Sequence, residues 1–225
     1  MEMSSGSGSK PLIVGLAILV AAVVGYWGFT AHKKRELDNT VTSSIHDASQ
    51  RLRSALTVTA GPAEAITMQA AERISTDAEE VDRRLQTIKN MESSSNFALV
   101  DKADAYLLTV REILKRLAGS HRNRLLLRES SQALRDHIRI DTRTGSWVSE
   151  AVRSKARMDK DFRDYRIDSE MADKLLETFP NEEKKVISYL GRSDMINARL
   201  IADARSHAST ALKEAALEVQ KFRLR

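Results

Sequence analysis

Residues 100–117 read VDKADAYLLTVREILKRL, and their apolar side chains fall at Val100, Ala103, Leu107, Val110, Leu114 and Leu117. Steps of three and four put these six on one stripe of an α-helix. A half-buried strand would alternate at every second residue, and this stretch does not. The stripe predicts a helix that packs along a narrow seam.

The same spacing recurs on either side. Upstream it runs through Leu37, Val41, Ile45, Ala48, Leu52 and Ala55, then through Ala71, Ile74, Ala78, Val81, Leu85 and Ile88. Downstream it shifts near Gly119 and continues through Leu125, Ser131, Leu134 and Ile138. A fourth seam is read through Val152, Phe162, Tyr165, Ala172 and Leu175, and a fifth from Val186 and Leu190 to Val219 and Phe222. Punctuation falls between them. Gly61–Pro62 suits a helix stop followed by a new first turn. Ser93–Asn96 and Asp141–Ser146 are turn-rich, with Ser146 a candidate N-cap. Pro180 disfavours helix at Phe179, and Asn181-Glu182-Glu183 then starts the last helix. Gly119-Ser120 and Gly191-Arg192-Ser193 are further possible breaks. The expected helices span roughly 36–60, 62–92, 97–140, 147–178 and 181–225, with no sheet.

Composition agrees with long helices. Only nine Gly and three Pro interrupt 225 residues, and 30% of residues are charged. Aromatic residues make up 5%, too few for a core built on large rings, whereas seams need only Leu, Ile, Val and Ala. The absence of cysteine excludes disulfides, zinc–cysteine sites, iron–sulfur clusters and a thiol nucleophile.

Residues 12–29 read LIVGLAILVAAVVGYWGF, eighteen residues without a charge. At 1.5 Å per residue, with Pro11 and Thr30–Ala31 added, such a helix reaches about the 30 Å thickness of bilayer hydrocarbon. The run exceeds the apolar region of a cleaved signal peptide, and no small-x-small site follows it, so retention as an anchor is expected. Tyr26 and Trp27 sit where amphipathic rings favour the interface, and Lys33, Lys34 and Arg35 follow directly. The positive-inside rule then places the bulk of the chain on the cytoplasmic side. The fold expected is all-α: a flexible polar tail over 1–10, a single transmembrane helix over 11–31, and a long antiparallel, coiled-coil-like bundle over 32–225.

The net charge of +5 is concentrated between Arg111 and Arg143, where nine Lys/Arg face four Asp/Glu. Arg111, Lys115, Arg116, Arg122, Arg124, Arg128, Arg135, Arg139 and Arg143 form a candidate surface for an anion or an acidic partner. The stretch carries no aromatic for base stacking, which disfavours nucleic acid. The five histidines form no HExxH or paired helical spacing. His121 falls on a seam, where it tunes register or responds to pH. Asp203 and His207 are spaced to touch on one face. Asp159, Asp161, Asp164 and Asp168 lack the glycine an EF-hand loop needs, and Asp159–Arg163 reads as a surface ion pair. No catalytic, cofactor-binding or metal-ligating set is expected, and no cofactor or small-molecule substrate is evident. The partners expected are the lipid bilayer and a protein, or a second copy, meeting the seams. A scaffold or tether in a membrane complex is the function this predicts. The alternatives are a ligand-sensing bundle that signals through a partner, and a tether for anionic lipid or nucleic acid on the 111–143 stretch.

Overall fold

The computed structural model describes the backbone of residues 10–91, 97–139, 145–190 and 194–222, and their side chains except at 10–28, 30 and 97–99. Its elements are α1 (Lys10–Ala60), a 3-10 turn (Ala63–Ala65), α2 (Met68–Met91), α3 (Phe97–Ile138), α4 (Trp147–Lys185) and α5 (Ala198–Lys221). No strand occurs among the described residues. The chain divides into two compact units, Met1–Val41 and Thr42–Arg225.

The first unit contains the head of α1. Lys33 places its ammonium 4.7 Å from the centre of the Phe29 ring, and Thr40 donates to the Glu36 carbonyl at 2.8 Å. Leu37 and Val41 are buried as their seam predicts. Among the described residues no helix is long and apolar enough to cross a membrane. The side chains of the predicted anchor, Tyr26 and Trp27 included, lie outside the described residues up to position 28. So do the tail over 1–9, the turn at 93–96, residues 141–144 and Gly191–Ser193.

The second unit is a bundle whose neighbours alternate in direction. Pairs that cross from one helix to the next fall in number on one side as they rise on the other. Arg51 meets Asp77 and Arg84 meets Asp47 between α1 and α2. Arg111 meets Asp82 and Lys89 meets Asp104 between α2 and α3. Tyr106 packs on Phe179, Arg116 meets Asp168 and His137 stacks on Trp147 between α3 and α4. Arg205 meets Asp173 and Glu177 between α5 and α4. These helices are antiparallel, as short turns between long rods require.

The seams through residues 45–117 are buried at every predicted position. Burial of each Leu, Ile or Val contributes about 1.5–3 kcal/mol. The remaining seams depart from expectation. Leu127 rather than Leu125 enters the core, joined by Leu134, Met158, Tyr165 and Val219. Val152 is 63% exposed and Leu175 only half-buried, while Met158, Leu176 and Phe179 are buried instead.

Three breaks also fall differently. Helix α3 runs unbroken through Gly119, because that glycine serves packing: a Cβ there would lie 2.3 Å from Asp168 Oδ2. Helix α4 runs through Pro180 to Lys185, so Asn181–Glu183 start no helix. The proline removes one hydrogen bond, yet Leu176, Phe179 and Glu183, all buried on one side, hold the turn in place. Pro62 does not open α2. It precedes the 3-10 turn, and α2 starts after Thr67, whose hydroxyl accepts the Ala70 N–H at 3.1 Å. Ser146 stands at the N-cap of α4 in helical backbone conformation, and its side chain makes no capping bond. Asn197 does cap α5, accepting the Arg199 N–H at 2.8 Å.

Candidate functional site

The basic band on α3 is divided by the fold. Arg111, Arg116 and Arg135 are tied to neighbouring helices through Asp82, Asp168 and Glu218. Arg116 also meets Glu112 at 2.9 Å, and its hydrogen bond to Asp168 is the main cause raising its pKa. Lys115, Arg122, Arg124, Arg128 and Arg139 form no ion pair among the described residues, and Arg143 lies outside them. The nine cations therefore do not make one continuous anion surface. Three act as bundle cross-links.

The acidic residues of α4 are likewise engaged, though not as read from spacing. Asp159 accepts from Lys155 at 3.0 Å instead of meeting Arg163, because the lysine one turn upstream reaches it. Asp164 accepts from Lys160 at 2.9 Å, and Asp168 takes Arg116 and Asn123, each at 3.0 Å. Asp203 lies 3.9 Å from Arg199, and His207 turns to the Gly61 carbonyl at 3.4 Å, so these two do not pair with each other. Such exposed pairs contribute little, about 0–1 kcal/mol each.

Where α1 ends, the bundle opens into a cleft of about 360 Å³ between α3, α4 and α5. Its walls are apolar at Leu117, Tyr165, Leu176, Ala204 and Ala211 and polar at Thr59, Ser120, His121, Arg124 and Ser169. The space exists because α5 presents alanine at 204, 208 and 211, too short to fill it. A second cleft of about 270 Å³ continues between α3 and α5, lined by Arg124, Leu127, Arg128, Ser131, Arg135 and Glu218. Arg124, Ala211 and Glu214 line both.

His121 is 3% exposed. Thr59 gives its single hydroxyl hydrogen to the Ala55 carbonyl at 2.9 Å, so its oxygen accepts from His121 Nε2 at 3.1 Å. The proton therefore sits on Nε2, and Nδ1 is a buried acceptor without a partner. Burial, and secondarily the Arg124 charge, lower the imidazole pKa to about 4. The ring is neutral at pH 7, and the cleft wall there carries no charge. Beside it, Ser120 and Ser169 hydroxyls meet at 2.8 Å. Burial raises the Tyr165 pKa.

A separate polar clasp closes the connection between α4 and α5, which sequence reading missed entirely. Ser49 donates to the Asp194 carbonyl, Arg53 donates to the Met195 carbonyl at 3.0 Å, and His46 meets the Asp194 carboxylate at 3.1 Å. Glu183 accepts the Ile196 N–H at 2.8 Å. Burial raises the Glu183 pKa, opposed by that bond and by Arg53. Here α1 side chains fix loop carbonyls, which is structural work with no open space beside it.

No protein-family model, curated protein or solved structure matches this chain.

Proposed function

We propose that the chain is a single-pass, membrane-anchored helical bundle that serves as a scaffold or tether within a membrane complex. One observation carries the reading: the uncharged run over 12–29 lies within α1, a single helix of 51 residues that continues into the bundle sequence. A helix satisfies its own backbone hydrogen bonds, as a lipid environment demands. Directly after the run, Lys33, Lys34 and Arg35 are exposed. That basic cluster favours the bundle on the cytoplasmic side.

For the interaction role, support comes from an apolar surface on α4. Val148 and Val152 are 62% and 63% exposed beside a groove lined by Leu134, Ile138, Trp147 and Phe222. Exposed apolar patches rimmed by charge mark protein contacts. The tether for nucleic acid gains no support, because the band that would carry it is partly consumed in cross-links.

The test is fractionation followed by capture. Full-length chain should stay with membranes through an alkaline carbonate wash, and a deletion of residues 12–29 should release it. Cross-linking in intact membranes should recover a partner or a second copy, and Val148→Glu with Val152→Glu should reduce that yield. Carbonate-extractable full-length protein would sink the anchor. An unchanged cross-linking pattern in the double variant would sink the α4 surface.

A further inference from the structure

We infer that the continuous cleft between α3 and α5 binds a small organic carboxylate, its head on Arg124, Arg128 and Ser131 and its apolar chain against Tyr165 and the alanines of α5. This goes beyond the membrane-scaffold reading and does not rest on it.

The sign of the ligand follows from which charges are already satisfied. Arg135 is held by Glu218 at 2.6 Å, and Arg205 by Asp173 at 2.6 Å. Among the described lining residues, Arg124 and Arg128 remain without an ion pair, against the single carboxylate of Glu214. The balance favours an anion. A guanidinium offers paired N–H donors that match the two oxygens of a carboxylate.

A gap between alanine-bearing helices would by itself indicate nothing. The second observation is polar. Ser131 lines the narrower cleft, is only 2% exposed, and has no hydrogen-bond partner for its hydroxyl. His121 lines the wider cleft and leaves Nδ1 unpartnered. Buried polar groups are nearly always satisfied, and a group left unmade costs free energy that a bound molecule can recover. Ser131 lies within one helical turn of Arg128, so its hydroxyl and that guanidinium belong to the same stretch of wall.

The tail has its own reason. Beyond Arg124 the walls change to Leu117, Tyr165, Leu176 and Ala204, and the one ionisable ring there, His121, is held neutral by burial. A charged or strongly hydrated tail would lose water without compensation. The volume, about 360 Å³ in the wider part, is at the lower end of small-molecule sites.

Calorimetric titration of the full-length chain in lipid nanodiscs, with empty discs subtracted, tests this with three probes: hexanoate, inorganic phosphate and hexan-1-ol. Hexanoate should saturate one site. Phosphate lacks the tail and hexanol the charge, so each should bind at least tenfold more weakly. Arg124→Gln with Arg128→Gln should weaken hexanoate at least tenfold while circular dichroism and melting stay as in the parent, since neither arginine is in a cross-link. Ala208→Leu should block the wider cleft and weaken it similarly. No saturable hexanoate binding by the folded parent overturns the inference. So does phosphate or hexanol matching hexanoate, or parental affinity in the folded arginine double variant.

Discussion

Along α3, residues 100–117 bury Val100, Ala103, Tyr106, Leu107, Val110, Ile113, Leu114 and Leu117, whereas residues 118–138 bury Ala118, Ser120, His121, Leu127, Ser130, Ser131 and Leu134. One helix thus contributes to two kinds of core. The first lies level with α1 and α2 and is almost purely apolar. The second lies beyond the end of α1, is shared with α4 and α5, and interleaves hydroxyls and an imidazole with a small cluster around Leu127, Met158 and Tyr165. Apolar burial is non-directional and supplies stability. Buried polar groups need specific partners, and those lacking them leave openings where something else can bind. The clefts occur in the second region for that reason.

The widest expected difference between the regions is in the cost of truncation. Leu114→Ala removes a side chain with no exposed surface from the apolar region and should cost about 3–5 kcal/mol. Leu134→Ala in the polar region should cost about 2 kcal/mol, because Leu134 already borders a groove, so less new cavity is created. Urea unfolding of both variants measures this. Equal costs would mean that the second core is as tightly filled as the first.

Acid should weaken the chain chiefly at the boundary of the two regions. The folded pKa of His121, about 4, lies below its ordinary value of 6.5. The unfolded chain therefore takes up a proton first as pH falls, and stability present above 6.5 is lost towards pH 4. The full loss is on the order of 3 kcal/mol. His121→Leu should flatten this limb of the unfolding profile. Glu183 in the clasp works in the opposite sense: burial raises its pKa, so the folded chain takes up that proton more readily and acid stabilises it there. Glu183→Gln should steepen the acid loss. An acid limb unchanged by His121→Leu would place the titrating group elsewhere.

Legibility in the sequence followed the same division. From Ile45 to Leu117 the three-and-four spacing of aliphatic residues predicted every buried seam position, because an apolar stripe has one orientation that removes it from water. After Gly119 the pattern names Leu125, and the fold uses Leu127, since Ser120, His121, Ser130 and Ser131 share the inward face and blur the period. The helix through Pro180 was illegible for a different cause: local propensity opposes it, and only packing by Leu176 and Phe179 on the assembled bundle overrides it. The basic band was visible as composition. Which of its arginines are spent on Asp82, Asp168 and Glu218 depends on antiparallel register between helices, which no local window contains.

The smallest effect tests the hinge of the comparison, Gly119, where the apolar stretch of α3 gives way to the polar one. In an exposed helix interior, Gly→Ala stabilises by about 0.5–1 kcal/mol through backbone entropy. Here the new Cβ would lie 2.3 Å from Asp168 Oδ2 and 2.9 Å from its Cγ. That carboxylate cannot swing away without loosening Arg116 and Asn123, each held at 3.0 Å. The clash outweighs the entropy, so Gly119→Ala should destabilise by about 1 kcal/mol. In an Asp168→Ala background the obstacle is gone, and the same substitution should stabilise by up to about 1 kcal/mol. A double-mutant cycle by thermal unfolding reads the reversal directly. If Gly119→Ala stabilises the parent chain, α3 and α4 give way at this point, and the boundary between the two cores is softer than the packing of Asp168 implies.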